Sequence, residues 1–490
     1  MIQILKRAWA AWLLVPFLFS CATYNKSMDS YYANLKEHNY DKAQRSIEKN
    51  RLIKKDRNAL LYNMEMGKLY RLKNDPVNSN IFFNRADGMI ESNNKSFADI
   101  ALGNLLNPMQ QAYRGEDFEQ FMLHYYKALN YAAIGQTEDA VVEARRITLS
   151  SNQQGDKFRN KENRYSKDAF ALNLQGMIYE MAGDANNAFI AYRNAADVYL
   201  KADNNYYGVK MPLQLQKDLL RTATAMGFTG EGQRYEKLFN ASYIDNTSPN
   251  GELILFIEEG NAPIKEEKNF FLTAGSNGLN SFNYIDANGL NSNFNFNASA
   301  YGIADDKLTS LRAFRLSLAT YRIQNEQPAN FVVSNNGTSY NTQLAQNLNS
   351  VAVNVLKERF VTDMANALAR QITKKLVEKG TQAAAKGIAK SNDKKDDTDT
   401  TAAQKEQKKK DNEQKAERVG EVAGFVMNMI NTATEKADTR NWQSLPAFVS
   451  YVRIPLNAGE NTITVSDSGK QISLKVNAGK GLQMMSITTN

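Results

Sequence analysis

From residue 28 to residue 245 the apolar side chains recur with helical period, and no stretch alternates as a strand would. The first half of the chain is therefore confined to helix packed on helix. Such helices must solve one problem, which is how two antiparallel neighbours come close. One answer recurs. In 169–202, Leu172, Gly176, Tyr179, Gly183-Asp184, Ala188, Tyr192 and Ala195 give a small residue, an aromatic one turn on, a turn, then small and aromatic residues on a second helix. Gly176 and Ala188 let the backbones approach, and Tyr179 and Tyr192 fill the groove beside them.

Residues 121–150 repeat the pattern with Ala128, Tyr131, Gly135, Ala140 and Ala144, and residues 60–92 with Gly67, Tyr70, Asn74-Asp75, Phe83 and Ala86. A half-match lies at 27–50 (Tyr31, Ala43, Ile47) and a degenerate pair at 213–240. These offsets match the positions of a tetratricopeptide repeat. Gly67, Ala128 and Gly176 are 61 and 48 residues apart, so insertions near 93–116 and 151–166 separate the units. The alternative is a generic bundle of short helices, which also carry Ala and Tyr. A repeat array does no chemistry; it presents a surface to a peptide or partner domain.

At residue 246 the pattern changes. A breaker cluster, Thr247-Ser248-Pro249-Asn250-Gly251, precedes the strand-like run Glu252–Glu258. Residues 275–300 are rich in Asn, Gly and Ser, with Phe282, Tyr284, Phe294 and Phe296 in steps of two; residues 313–323 alternate, and Phe331–Val333 forms another short run. Helical period returns over 342–390, where Val351, Val355, Phe360, Met364, Leu368, Ile372 and Leu376 form one stripe. Residues 391–418 then hold eight basic and eight acidic residues and no Val, Ile, Leu or aromatic residue. That tract has nothing to bury, so it reads as a solvated insertion, and its zero net charge argues against nucleic acid. After 447 short alternating runs are separated by turns containing Asn457-Ala-Gly459, Asp467-Ser-Gly469 and Asn477-Ala-Gly-Lys-Gly481.

The first twenty-one residues give an address. Lys6 and Arg7 precede the apolar run Ala8–Ser20, which is too short to cross a bilayer as a helix. Leu18-Phe19-Ser20-Cys21 resembles a bacterial lipobox, with Phe19 bulkier than usual, and Cys21 is the sole cysteine. A plain signal peptide with an incidental cysteine is the competing reading. On the lipobox reading the chain is processed to begin at Cys21 and acylated there. Residues 22–26 carry neither an aspartate that would retain it at the inner membrane nor an acidic cluster that would mark export to the surface. The expected address is the periplasmic face of the outer membrane.

Two further stretches carry a resemblance. One is Gly260-Asn-Ala-Pro263-Ile-Lys265. The other is Thr434-Glu435-Lys-Ala-Asp438-Thr-Arg440-Asn-Trp442-Gln-Ser-Leu445-Pro446, followed by Arg453 and Gly459. Together with the layout above they resemble a family of uncharacterised bacterial outer-membrane lipoproteins with an N-terminal tetratricopeptide-like region. The resemblance covers most of the chain beyond residue 20, implies address and architecture, and carries no activity; the tract 391–418 departs from it. On the residues alone, Glu435 and Asp438 share one face at a helix end, Arg440 pairs with either, Trp442 and Leu445 pack, and Pro446 opens an extended segment. The motif is then either a structural helix-to-strand junction or a ligand groove in which Arg440 and Lys265 face an anion.

Composition excludes several chemistries. With two histidines (His38, His124) and one cysteine, multi-His zinc, Cys-cluster and Cys-His nucleophile sites lack members. There is no Gly-X-Ser-X-Gly elbow and no phosphate loop; Gly227-Phe-Thr-Gly230-Glu-Gly232 follows a helix and lacks the Gly-Lys-Ser/Thr end. The histidines read as helix surface. The expectation is an α+β protein. It comprises a leader 1–20, helical repeats 21–245, a β-rich segment 246–341, a helical segment 342–437 with the charged insertion 391–418, and an antiparallel β unit 438–490. It has no catalytic site, metal or cofactor. Its partners are membrane lipid through Cys21 and a protein on the repeats, in assembly or regulation of an outer-membrane or cell-wall machine. The alternative is a peptidoglycan- or polysaccharide-binding lipoprotein that uses the C-terminal strands and Trp442.

Overall fold

The structure, a computed structural model, describes residues 24–95, 108–157, 167–244, 248–274, 281–285, 291–301, 303, 313–325, 327–392, 436–467 and 470–489. The leader, Cys21, Glu435, the charged tract from residue 393 and, up to residue 435, the helix expected at 419–437 lie outside them. Among the described residues the chain is α+β, with ten helices, then strands, then one long helix between strands.

The first ten helices form five hairpins: α1 (Tyr24–Lys36) with α2 (Tyr40–Lys49), α3 (Ala59–Leu72) with α4 (Pro76–Lys95), α5 (Asp117–Ala133) with α6 (Thr137–Lys157), α7 (Ala169–Met181) with α8 (Ala185–Lys201), and α9 (Leu213–Ala225) with α10 (Thr229–Phe239). Each is closed by three residues, and the middle one, His38, Asn74, Gly135, Gly183 or Gly227, has positive φ. A left-handed residue there ends the first helix and turns the chain back. Five residues further on each second helix carries a small residue: Ala43, Ser79, Ala140, Ala188, Gly232. On two of the first helices the facing position is glycine for a steric reason. A methyl on Gly67 would overlap the ring of Phe83, and one on Gly176 the ring of Tyr192.

Twelve strands follow: β1 (Glu252–Glu259), β2 (Ile264–Ala274), β3 (Ser281–Ile285), β4 (Asn291–Asn295), β5 (Ala313–Arg322), β6 (Val332–Asn335), β7 (Thr338–Asn341), β8 (Gln343–Asn347), β9 (Phe448–Pro455), β10 (Glu460–Asp467), β11 (Lys470–Asn477) and β12 (Leu482–Thr489). The long helix α11 (Leu348–Asn392) lies between β8 and β9. Three sheets result, in the orders β12-β1-β9-β8, β11-β10-β6-β7 and β4-β3-β2-β5. β1 is apolar on both faces because both are covered. Ile254 and Phe256 join the core of the helical hairpins, while Leu253, Leu255 and Ile257 join a core shared with the second sheet. The third sheet packs Phe270, Leu272, Phe314 and Leu316 against Met364, Leu368 and Ile372 of α11.

Three expectations change. Residues 438–490 do not close on themselves as an antiparallel unit. β9 and β12 flank β1, β12 runs parallel to it, and β10 pairs with β6 as well as β11. Seven of the eight residues of β9 are buried, so its two edges need partners, and β1 and β8 supply them. Helical period begins at Leu348, because 343–347 is a strand. Residues 436–447 contain no helix, so Asp438 and Arg440 pair two residues apart on non-helical backbone.

Two helix-interior glycines separate packing from propensity. Gly176→Ala is expected to destabilise the protein by about 1–3 kcal/mol through overpacking against Tyr192. Gly88, exposed on α4 with open space at its Cβ, is expected to gain up to about 1 kcal/mol on the same change. Urea unfolding of the two variants checks both; equal effects would remove the steric argument.

Candidate functional site

The first helix of each hairpin from α3 to α9 turns polar side chains toward the first sheet, where they meet groups on strands. Glu258, on the helix-facing side of β1, is fully buried. It forms an ion pair with Lys68 of α3 and accepts hydrogen bonds from the hydroxyls of Tyr125 (3.0 Å) and Tyr126 (3.1 Å) on α5. Lys68 also donates to the Tyr126 hydroxyl at 2.8 Å and lies 4.4 Å from that ring. Burial pushes Glu258 up, but the charges of Lys68 and Arg71 outweigh it and hold the carboxyl below its ordinary value. Arg71 in turn donates to Ser486 of β12 at 2.6 Å.

A second contact lies further along the array. Arg453 of β9 reaches Glu180 of α7 (2.7 Å), Asp218 of α9 (3.0 Å) and Glu252 of β1, and Arg221 pairs with Glu180 and Asp218. Burial raises the Glu180 carboxyl, yet the two arginines bring it down to about 2. This cluster lies at one side of a cleft of about 500 Å³, whose apolar walls include Leu213, Ile244 and Tyr340.

The junction motif forms the third. Arg440 is 1% exposed and Trp442 wholly buried. The Arg440 guanidinium grips Asp438 with Nε (2.8 Å) and Nη2 (2.6 Å), donates to Asn58 Oδ1 (2.7 Å), and meets the carbonyls of Arg57, Pro108 and Gln111. Those contacts occupy its whole donor fork, and no face is left for an anion. The Trp442 indole N–H donates to Ser444 (2.9 Å), its backbone N–H to Glu119 (2.7 Å), and its ring lies 5.8 Å from those of Phe83 and Tyr126. Lys265 is buried in an ion pair with Glu116, which Arg359 of α11 also holds from two nitrogens. Pro263 and Pro446 are buried. Gly260 has φ +64, and a Cβ there would meet Asn325 at 2.7 Å. Asn441, not singled out by sequence, stitches the two stretches together: its Nδ2 donates to the Pro263 carbonyl (2.9 Å) and its Oδ1 accepts from Lys265 N–H (3.3 Å).

Of the repeat positions, Ala128, Ala140, Gly176, Ala188, Tyr179 and Tyr192 are buried, as is Gly67, while Tyr70 and Tyr131 are half-exposed. Tyr192 also donates to Glu180 (2.8 Å), which ties a packing residue to the Arg453 cluster. His38 is exposed, but His124 is not on the surface. It faces α6 from inside α5, with Nδ1 2.8 Å from Glu143. Asp87, His124 and Glu143 bring three potential metal-ligand atoms within 4.8 Å of one another. Lys127 lies between them, 2.5 Å from Asp87 and 2.9 Å from Glu143, so an ammonium already fills the place a cation would take. A larger cleft of about 970 Å³ runs between the α1–α2 link and the strand ends, lined by Lys36, His38, Glu259, Gly260, Arg322 and Thr489 among others.

Glu65 gives the seam a pH signature. Burial raises its carboxyl to about 7, although Ser444, Tyr32 and Tyr31 donate hydrogen bonds to it. The folded state therefore holds an extra proton between the unfolded value near 4.5 and about 7, and the stability this gives is lost as pH rises through that window. Glu65→Gln is expected to gain on the parent as pH rises from 4.5 to 7 and to level off above. Glu116, Glu180 and Glu258, held low, lose their contribution as pH falls below the ordinary carboxylate range, alike in both proteins. Urea midpoints across pH test it; a constant difference would contradict it.

No family model and no curated protein matches the chain. Among solved structures, that of MamA protein is similar at 16% identity, over 43% of this chain and 86% of its own, with a TM-score of 0.27. A score that low carries no argument here.

Proposed function

We propose that this chain is a lipid-anchored, non-catalytic interaction protein of the bacterial envelope, acylated at Cys21 and held at the periplasmic face of the outer membrane. Its helical hairpins act as tetratricopeptide-like repeats that bind a protein partner during assembly or regulation of an outer-membrane or cell-wall machine. The observation that carries this reading is the array itself: five hairpins with a three-residue link, a left-handed middle residue and a small residue at the same position on the second helix.

The first helices are turned toward the chain's own sheet, which favours the second helices as the partner surface. Exposed apolar residues on them include Val77 and Ile81 on α4 and Val142 and Leu149 on α6. Apolar side chains left in water on an ordered face mark a docking surface more often than a lone exposed leucine does. The glycan alternative uses the C-terminal strands and Trp442 as its contact surface. A wholly buried ring has no free face, so that reading passes to other residues of the C-terminal strands.

In-cell crosslinking with mass spectrometry on the tethered protein tests the proposal. Crosslinks from α4 and α6 to one envelope protein are expected. They should be lost in Ile81→Glu/Val142→Glu, whose melting temperature stays near that of the parent because both sites are exposed. Cys21→Ala should leave the protein soluble on envelope fractionation. Crosslinks confined to 246–490 and to glycan would overturn the partner reading, and a Cys21→Ala variant that still sediments after a carbonate wash would overturn the anchor.

A further inference from the structure

The start of α1 is fixed to the body of the protein. Tyr24 is wholly buried, with its hydroxyl 2.8 Å from that of Tyr32. Asn25 donates to the Lys265 carbonyl (2.8 Å) and accepts from Gln443 (2.8 Å). Cys21 precedes Tyr24 by three residues, which span at most about 10 Å when fully extended. If acyl chains on Cys21 enter a bilayer, the surface around the first turn of α1 is thereby kept close to the headgroups.

That surface carries a basic turn. Between Lys49 and Arg57 the chain has five basic residues and one acidic. Lys49, Arg51, Lys54 and Lys55 are exposed, and no described carboxylate forms an ion pair with any of them. Asn50 holds the turn in place. Its Oδ1 accepts from the backbone N–H groups of Leu52 (2.9 Å) and Ile53 (3.3 Å), and its Nδ2 donates to the Ser27 carbonyl (2.7 Å) in the first turn of α1. The Ser27 hydroxyl returns a bond to Asn50 Oδ1 at 3.1 Å, and Ile53 is buried beneath. Four unpaired cations are therefore presented on a rigid turn beside the chain's entry point.

We infer that this turn rests on anionic phospholipid headgroups next to the lipid anchor, as a second, electrostatic attachment that fixes how the helical array stands on the membrane. The inference rests on the reading of Cys21 as the acylated residue. A Lys or Arg near an anionic surface strengthens binding by about fivefold, but only within about a Debye length of ~10 Å. The three-residue link limits how far the first turn of α1, to which Asn50 ties the basic turn, stands from the headgroups. A longer one would let the body drift out of the surface potential.

The test uses the chain from residue 21 with Cys21→Ser, so that no acyl chain contributes, and vesicles of phosphatidylcholine with or without phosphatidylglycerol. The protein should sediment with the anionic vesicles only, and less as salt is raised. K49Q/R51Q/K54Q/K55Q should weaken binding by on the order of several hundredfold. K201Q/K210Q/K217Q/K237Q, an equal charge change on exposed lysines at the other end of the array, should leave it within a few-fold. Equal binding to both vesicle types, or equal losses in both variants, would overturn the inference. The anchor reading is scored separately, by the mass of the N-terminal peptide from cells. An unmodified Cys21 there would remove the anchor while leaving the vesicle result to stand or fall alone.

Discussion

Glu258 holds the helices and the strands in one register. It is a carboxylate in the middle of the protein, on a strand whose other face is Leu253, Leu255 and Ile257. A slip of β1 by one residue would turn that charge into the apolar space between two sheets and bring Ile257 against Lys68. Neither is tolerable, since an unpaired buried charge costs several kcal/mol. The Lys68–Glu258 pair therefore adds little net stability over an apolar pair of the same volume, and its effect lies in what it forbids. Arg453 with Glu180 and Asp218, and Glu116 with Lys265 and Arg359, repeat the constraint at other points of the same seam.

This closure decides what the helical array offers. In an open array the first helices would line a groove for a ligand. Here they face β1, β9, β12 and the Arg440–Trp442 stretch, and their polar side chains are spent on those elements. The chain's own sheet occupies the place a peptide would take. The surfaces left for others are the second helices, the α9–α10 end, and the rim beside the first turn of α1.

The hairpins were legible in the sequence because their cause is local. Gly67 and Gly176 are glycine because Phe83 and Tyr192, sixteen residues on, occupy the space of a side chain. A fixed offset within one hairpin is visible in a single sequence. The break at 246 and the alternation of β5 and β10 were legible for the same reason. The partners of β9 and β12 were not, because β1 lies about two hundred residues before them and apolar strands do not encode which apolar strand they meet. Nor were the charge pairs, since Lys68 and Glu258 are 190 residues apart. His124 looked like helix surface, but it is buried against Glu143 of the partner helix α6, a carboxylate that Lys127 of α5 also holds. Asn441 and Asn50, the two amides that tie segments together, gave no signal beyond being asparagine. Cys21 and Glu435 lie outside the described residues.

Helices and strands form one unit closed by this seam. In the chain from Cys21 onward Trp442 is the sole tryptophan, and it lies in the seam against Phe83 and Tyr126. Urea unfolding followed at once by far-ultraviolet circular dichroism, which reads the helices, and by Trp442 fluorescence, which reads the seam, tests the claim most directly. One coincident transition with a common midpoint is expected. Loss of the Trp442 signal while the helices persist to higher urea would show an array that stands without its sheet, and would contradict it.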